Sequence, residues 1–342
     1  MQVDKSIFYD VKPLLSRNCF INFIVGGRGT GKTFGCKKFV IDDFIKNKRQ
    51  FFYIRRFNTE LELSLTGFFE QLTKEGLYPD YEFKVKKIQK NLFAFYVNGE
   101  IAGYACALTT SLVIKSASFP EVYNLIFDEV LLARGTSYHY LKNEQILFLE
   151  LLDSIFRLRN GRCLLLSNAI SVANPYYDYW NIRPKIDKRF DVYQNGLICL
   201  EQVRNQDFIE TKRKSLVGRL IDGTEYGDYS INNKMLQDDG AFIAWKPAGA
   251  KIIGTLIVDN RYLGLWSDYR SGSLYINGAY NPNCKEILAF SASDHNESTF
   301  LLLKQNNYLF EKLRTAFQYG CLYFENESVK HNVLKYVIGS LY

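Results

Sequence analysis

A glycine-rich turn followed by lysine and threonine carries the clearest chemical signal in this chain. The stretch "GGRGTGKT" (26–33) comes directly after the apolar run "CFINFIV" (19–25). The pattern Gly-x-x-x-x-Gly-Lys-Thr between a strand and a helix is that of a phosphate-binding loop. Its glycines let backbone N–H groups wrap a phosphate, and the helix start adds partial positive charge. The residues predicted to bind the nucleotide are Gly26, Gly27, Arg28, Gly29, Thr30, Gly31, Lys32 and Thr33.

An acidic pair follows a second apolar run and completes the predicted site. Asp128 and Glu129 come after "VYNLIF" (122–127), which reads as a buried strand. Lys32 would neutralise the β- and γ-phosphates, while the Thr33 hydroxyl and Asp128 would ligate Mg²⁺. Glu129 can orient and deprotonate water, so the pair favours hydrolysis by the protein's own base. ATP is the favoured nucleotide, because the nearest guanine-recognition candidate, "PKID" (184–187), has proline where asparagine or threonine is needed.

Five further polar residues have more than one possible role. Asn168 ends the next apolar run and could hold the attacking water or sense the γ-phosphate, or it could simply end a strand. Arg28, Arg55 and Arg56 are possible extra cations beside the phosphates, or surface and packing residues. Lys115 is a candidate for a neighbouring site or for DNA. The sequence leaves these assignments open.

Strands alternating with helices over roughly the first 200 residues predict an α/β domain with a parallel central sheet. Asn98-Gly99 predicts a hairpin within the alternating segment 81–108, because both residues tolerate positive φ. The other predicted elements are strands at 19–25, 51–57, 122–127 and 162–169 and helices at 32–46, from Thr59 to about 75, and at 142–157.

Composition excludes several classes of protein. The 342 residues are 47% hydrophobic and carry a formal charge of +7, which permits a polyanionic partner. The seven cysteines are scattered and odd in number, so neither a zinc site nor a disulfide framework is expected, and a reducing compartment fits best. No apolar run approaches the length of a membrane span, and the first residues do not form a signal peptide. We therefore expect a soluble, intracellular protein without a membrane partner.

The composition changes after about residue 206 and predicts a second domain. We expect an ATPase domain at 1–206, a polar linker with one short helix at 207–228, and a smaller α+β domain at 229–342 whose helix spans about 297–318. The acids in this last domain could form a two-metal nuclease site, but solvated strand ends are the favoured interpretation. They are Asp259, Asp268 and Asp294. A basic group in the hairpin could bind phosphate or form a solvated face, and the second is favoured. It comprises Lys84, Lys86, Lys87 and Lys90.

These features together resemble the DNA-packaging ATPase of phi29-like small tailed phages, nearly end to end. The stretch "GRLIDGTEYGDYS" (218–230) is the most specific, because it has no general ATPase explanation. Other matching stretches are "DKSIFY" (4–9), "GGRGTGKT" (26–33), "FYIRRF" (52–57), "IFDE" (126–129), "DSIFRLRN" (153–160), "LSNAISVANPYY" (167–177) and "DKRFDVY" (187–193).

The resemblance implies an ASCE-type ATPase in which a sensor strand lies between the two Walker strands. It also implies an RNase H-like second domain that has lost nuclease catalysis. Such proteins form a ring, of five subunits, in the host cytoplasm at the portal vertex of an empty prohead. Their substrate would be double-stranded DNA, threaded inward by ATP hydrolysis, and a small packaging RNA would contact the C-terminal domain.

Arg157 is the one catalytic candidate predicted to act on a neighbouring subunit. The helix at 142–157 precedes a parallel strand, so its last residue should lie at the sheet edge opposite the phosphate loop, out of reach of its own nucleotide. The resemblance implies that Arg157 is the arginine finger, as it implies the functional positions of Lys32, Thr33, Asp128, Glu129 and Asn168.

Several alternatives stay open. Arg157 could merely cap its helix, and Arg159 or Arg162 could be the finger instead. For the whole protein, a nucleotide-switched regulatory DNA-binding ATPase and an active nuclease-bearing terminase are the other readings.

Overall fold

The structure, a computed structural model, divides into two units. It describes residues 9–114, 117–132, 139–168, 174–182, 184–185, 188–203, 205–224, 241–301 and 308–339. Contacts between Cα atoms place the main division along the chain between residues 224 and 241. The predicted linker, as far as residue 224, groups with the first unit and forms two helices rather than one.

The first unit contains nine strands and eight α-helices in its described part. The strands are β1 (Ile21–Gly26), β2 (Gln50–Arg55), β3 (Phe83–Gln89), β4 (Leu92–Val97), β5 (Glu100–Ala107), β6 (Val122–Asp128), β7 (Arg162–Asn168), β8 (Phe190–Tyr193) and β9 (Ile198–Val203). The helices are α1 (Lys12–Leu15), α2 (Lys32–Asn47), α3 (Asn58–Thr66), α4 (Glu70–Lys74), α5 (Glu144–Phe156), α6 (Pro175–Trp180), α7 (Gln206–Lys214) and α8 (Leu216–Ile221).

All nine strands form one sheet in the order β3-β4-β5-β2-β6-β7-β1-β9-β8. The six strands from β5 to β9 in this order are parallel, and β3, β4 and β8 extend the edges with antiparallel pairs. Strand β7 lies between β1 and β6, so the strand that ends in Asn168 separates the two strands that carry the phosphate loop and the acidic pair. This arrangement is the one predicted for the sensor strand.

The central strands are apolar because helices cover both faces of the sheet. Strand β1 is buried along its whole length. Its one amide side chain, Asn22, is buried without loss of hydrogen bonding, since its Nδ2 donates to the carbonyl of Cys19 at 2.9 Å and to that of Cys163 at 3.2 Å. Register then pairs Gly26 with Asn168 on the neighbouring strand. The carboxyl ends of β1, β7 and β6, which carry the polar residues of the predicted site, therefore lie side by side.

Two local predictions can be compared directly with the structure. The Asn98-Gly99 hairpin is confirmed, with φ of 48° and 81° at the two residues between β4 and β5. The single helix predicted from Thr59 to about 75 is wrong, because the chain forms α3 and α4 with a break after Gly67. Phe68 is fully buried at that break and packs against Phe95. This packing outweighs the tendency of the segment to continue as one helix.

The second unit is a six-stranded sheet with two helices in its described part. Its elements are β10 (Lys251–Val258), β11 (Arg261–Asp268), β12 (Ser273–Asn277), β13 (Ile287–Ala289), β14 (Phe300–Leu301), α9 (Tyr308–Gln318), β15 (Leu322–Phe324) and α10 (Glu327–Gly339). The strand order is β14-β13-β10-β11-β12-β15, with β10 to β12 antiparallel and the other pairs parallel. Leu313 of α9 and Val333 of α10 are fully buried in the apolar cluster that also contains Leu265.

The helix predicted at about 297–318 begins too early. Residues 300–301 form β14, and the helix is described from Tyr308. Thr299 Oγ1 accepts a hydrogen bond from the Asn296 backbone N–H at 2.9 Å, and Asn296 Oδ1 accepts one from Ser298 at 2.9 Å. Such local side-chain bonds compete with helix formation, so the polar stretch forms turns.

The cysteine thiols are all free. Five of the seven are buried, and Cys284 and Cys321 are partly buried. Across the residues that the structure describes, every helix is too short or too polar to cross a membrane.

Candidate active site

The phosphate-binding loop joins β1 to α2 in the predicted manner. Gly29 and Gly31 have φ of 87° and 83°, a backbone conformation that other residues rarely adopt. Gly26 is required for a different reason, since a Cβ there would lie 2.7 Å from the Cβ of Val203. The loop leads directly into the amino terminus of a 16-residue helix, whose first N–H groups are suited to an anion.

Lys32 points back into this loop. Its Nζ donates to the carbonyl oxygens of Gly26 at 2.9 Å and of Gly27 at 2.7 Å. Thr30 supports the same turn, because its hydroxyl donates to the Gly27 carbonyl at 3.1 Å. Burial lowers the pKa of Lys32 to about 8, and the nearby Asp128 carboxylate opposes that shift. The ammonium group of Lys32 therefore lies inside the loop that is predicted to wrap a phosphate.

Asp128 and Thr33, the two residues predicted to ligate Mg²⁺, lie in contact with each other. The Thr33 hydroxyl donates to Asp128 Oδ1 at 3.2 Å, although 95 residues separate them. A hydroxyl and a carboxylate side by side supply the oxygen ligands that Mg²⁺ prefers, so these residues fit the ion. Tyr53, which sequence reasoning missed, donates from its hydroxyl to Asp128 Oδ2 at 3.2 Å and fixes the carboxylate from the other side.

Glu129 follows Asp128 in an unusual backbone conformation. Its φ is 58°, which costs a non-glycine residue about 1–2 kcal/mol. Arg55 Nη2 donates to Glu129 Oε2 at 2.7 Å, and the same guanidinium lies 3.5 Å from Asp128 and 3.8 Å from Glu60. Arg55, whose role the sequence left open, therefore contacts the acidic pair.

Asn168 lies in the same site. Its Oδ1 is 3.5 Å from Lys32 Nζ, and it lines a cavity of about 300 Å³ together with the loop and the acidic pair. Gln71 of α4 and Glu75, the residue that follows this helix, also line this cavity. No motif marks these last two residues, because they reach the site only through the packing of a short helix.

Arg28 is exposed at the tip of the loop, where α7 contacts the same segment. Lys212 Nζ donates to the Arg28 carbonyl at 2.8 Å. The Phe208 ring lies 3.4 Å from the point where a Cβ on Gly29 would be. The helix from the predicted linker thus packs on the outer side of the phosphate loop.

The remaining basic candidates lie elsewhere. Arg56 is only 1% exposed and pairs with the buried Glu144, so it is not a cation beside the phosphates. Lys115 lies outside the described residues. Lys84, Lys86 and Lys87 are exposed on the edge strand β3, and Lys90 is exposed in the turn that follows it.

Arg157 lies near the amino-terminal ends of the central strands, opposite the end that carries the phosphate loop, as predicted. It caps the carboxyl end of α5 with φ of 52° and ψ of −117°, and it is exposed together with the fully exposed Leu158. Arg159 donates to the carbonyls of Phe119 at 2.8 Å and Val122 at 3.0 Å, at the start of β6. Its guanidinium is thus engaged by the main chain, which argues against Arg159 as the finger.

The three acids of the second unit all accept hydrogen bonds from groups of the protein. Asp294 accepts hydrogen bonds from the backbone of Asp259 at 3.0 Å and Asn260 at 2.8 Å. Asp259 accepts one from the Tyr336 hydroxyl at 2.7 Å, and Asp268 accepts one from the Ser271 hydroxyl at 2.8 Å. Among the residues that the structure describes, no three histidine, cysteine or acidic side chains converge to hold a metal ion.

The phosphate loop, the acidic pair and the intervening strand define a P-loop nucleotide-binding protein of the ATPase class. Comparison with known proteins then identifies the family: residues 3–338 match the model described as Podovirus DNA encapsidation protein (Gp16). The chain belongs to this family of viral DNA-packaging proteins.

Individual relatives agree with this assignment. The chain is 37% identical over 331 residues to the DNA packaging protein of Bacillus phage phi29, covering 96% of each. It is similar to the structure of the bacteriophage phi29 viral genome packaging motor assembly, with a TM-score of 0.79, 34% identity and coverage of 98% of this chain and 100% of that one. The N-terminal domain of the phi29 DNA packaging ATPase matches 59% of this chain and 99% of its own length, with 37% identity and a TM-score of 0.52.

Proposed function

We propose that this chain hydrolyses ATP and uses the energy to drive double-stranded DNA into a prohead through its portal. It would act in a ring of five copies, in the host cytoplasm, attached to the portal vertex. The observation that carries the proposal is the meeting of Lys32, Thr33, Asp128 and Glu129 in one cavity, in a chain similar along nearly its whole length to a packaging motor protein.

Each predicted site residue that lines the cavity has a role in this reaction. The loop N–H groups and Lys32 bind the β- and γ-phosphates, and Thr33 and Asp128 would hold Mg²⁺, which when bound offsets phosphate charge. Glu129 accepts a proton from the attacking water, and Asn168 orients that water. The ion pair with Arg55 fixes the direction of the Glu129 carboxylate.

Arg157 supplies the charge that this site lacks on its own. Register places the start of β7 beside Ile21 and its end beside Gly26, so Arg157, five residues before β7, is separated from its own loop by the length of the sheet. Strands of seven residues span about 20 Å. In a ring, that edge can face the nucleotide of the next subunit, where an arginine stabilises the transition state.

The second unit would attach the motor to the portal and contact a packaging RNA rather than cut DNA. Three antiparallel strands followed by two parallel ones, in the order β12-β11-β10-β13-β14, support the RNase H-like assignment. The carboxylates of Asp259, Asp268 and Asp294 all accept hydrogen bonds from groups of the protein, which supports loss of nuclease activity.

The test is a packaging assay with the full-length chain, proheads and linear double-stranded DNA. We expect ATP turnover that DNA and proheads stimulate, and DNA that becomes resistant to added nuclease only when ATP is hydrolysed. A regulatory switch would instead bind DNA in a nucleotide-dependent way without sustained turnover or DNA entry. DNA cleavage by the chain alone would favour the nuclease-bearing terminase.

A further inference from the structure

The turn that carries Glu129 is held by hydrogen bonds to its main chain. The Glu129 backbone N–H donates to Asp128 Oδ1 at 3.1 Å, and the Val130 N–H donates to the Leu166 carbonyl at 3.0 Å. The two carbonyl oxygens of this turn, those of Glu129 and Val130, both accept hydrogen bonds from Arg56, at 3.1 and 2.7 Å. One buried guanidinium thus binds both carbonyls of the segment whose φ is positive at Glu129.

Arg56 is itself fixed by a buried carboxylate. Its Nε and Nη2 donate to the two oxygens of Glu144, each at 2.8 Å, and Glu144 is fully buried. Glu144 also accepts hydrogen bonds from the Tyr176 hydroxyl at 2.7 Å and the Leu141 N–H at 2.8 Å. Such a two-pronged pair fixes the plane of the guanidinium as well as its position.

We infer that Arg56, oriented by Glu144, is a positioning residue for ATP hydrolysis: it holds the backbone turn of Glu129, from which the carboxylate can act on the attacking water. This inference rests on the proposed function. It follows from the geometry that Arg56 contacts neither Lys32 nor Thr33, so its loss should move the base without changing the residues that bind the nucleotide.

The variant Arg56→Lys tests this inference, since lysine keeps the charge but cannot bridge a carboxylate and two carbonyls. We expect kcat for ATP to fall by about 10²-fold, the effect of a small misplacement at a reacting centre, while KM and the affinity for a fluorescent ATP analogue change less than about threefold. Glu144→Gln, which keeps the shape of the partner, should give the same separation of kcat from KM.

The pair Arg189–Glu201 is the matched control. Arg189 donates to the buried Glu201 at 2.7 Å, and Glu201 also accepts a hydrogen bond from the Tyr9 hydroxyl at 2.7 Å. The chemical groups therefore match those around Glu144, with the difference that the Arg189 side chain is 44% exposed. Arg189 binds no carbonyl of the Glu129 turn. We expect Arg189→Lys to lower the melting temperature without a comparable change in kcat.

All variants are assayed at a temperature where circular dichroism shows them folded. Wild-type kcat in Arg56→Lys and Glu144→Gln, or equal loss of kcat in Arg189→Lys, would overturn the inference. So would a loss confined to KM. Failure of the proposed function would be recognised separately, as absence of ATP hydrolysis by the wild-type chain.

Discussion

In the first unit, the adjacent carboxylates Asp128 and Glu129 contact cations and hydroxyls from distant parts of the chain and line one cavity. In the second unit, Asp268 and Asp294 accept hydrogen bonds from turns, and Asp259 accepts one from the Tyr336 hydroxyl. Asp128 contacts Thr33 and Arg55 across 95 and 73 residues. Asp268 bonds within its own turn, and Asp294 caps the turn that begins at Asp259. Long-range convergence is what builds a reaction site, and turn capping is what stabilises a loop. The number of acidic residues in a unit is therefore not enough to identify it as catalytic.

The largest expected effect concerns Arg157, the arginine proposed to act at the site of a neighbouring subunit. Rings made only of Arg157→Ala subunits should bind ATP but hydrolyse it about 10³–10⁵-fold more slowly, because an arginine finger is lost. The measurement is DNA-stimulated turnover on proheads. Mixing with Lys32→Ala subunits, which keep the finger but lack the site, should restore part of the activity.

Arg162→Ala serves as the control for this prediction. Arg162 begins β7 at the same sheet edge and is partly buried. Near-normal turnover in Arg157→Ala together with a large loss in Arg162→Ala would assign the finger to Arg162.

The next effect tests the base. Glu129→Gln removes the proton acceptor but keeps the metal-binding pair, so ATP should stay bound while turnover falls by about 10²-fold or more. Pre-steady-state phosphate release and analogue binding measure the two quantities. Glu60→Gln makes the same chemical change beside the same Arg55, and its effect should be much smaller. Normal hydrolysis in Glu129→Gln would place the base elsewhere.

A smaller effect concerns a buried lysine near Asp128. Lys37 is 6% exposed, its Nζ lies 4.6 Å from the Phe68 ring centre, and burial lowers its pKa to about 8. Between pH 8 and 10.5 the unfolded chain therefore binds more protons at this residue, so stability should rise with pH in that window.

We expect Lys37→Met to remove on the order of 2 kcal/mol of this pH-dependent gain. Urea unfolding at pH 7.5 and 9.5 measures it. Lys38→Met, at the exposed neighbour that pairs with Asp42, should leave the slope unchanged. An unaltered slope in Lys37→Met would mean that the lysine is not strongly desolvated.

The smallest effect tests the second unit. Asp294→Ala should destabilise the protein by about 1–2 kcal/mol, because the backbone N–H groups of Asp259 and Asn260 lose their acceptor. The exposed Asp268→Ala should cost less. Thermal unfolding measures both, and DNA incubated with Mg²⁺ or Mn²⁺ should stay intact throughout. If the protein nicks DNA and either substitution abolishes the nicking, the second unit is a nuclease and the contrast between the two units is wrong.

The sequence predicts the centre of the site well because the phosphate-loop pattern has a fixed local geometry. Lys32 and Thr33 follow from spacing, and Asp128 follows from its place after an apolar strand. Arg55 and Arg56 could not be separated, since successive residues near a strand end point to opposite sides and only the fold shows which side holds the pocket. The partner of Arg56 is 88 residues away, beyond any local pattern.

Local errors have a similar cause. The break at Gly67 and the turns before β14 occur where burial of Phe68 or short polar hydrogen bonds outweigh helix propensity. Propensity is a weak signal, and tertiary contacts readily override it. Strands made of continuous apolar runs were predicted more reliably, because such runs bounded by turn residues are typical of strands buried on both faces.

The position of β1 in the sheet has a consequence for synthesis of the protein. Its two neighbours, β7 and β9, begin 141 and 177 residues after β1. At about 5–20 residues per second on the ribosome, roughly 7–28 s pass before synthesis reaches β7, and β9 follows later. During that time the apolar strand has no partner and offers a surface to chaperones or to other nascent chains. Translation that stops before β7 should therefore yield insoluble fragments, even though they contain the whole phosphate loop.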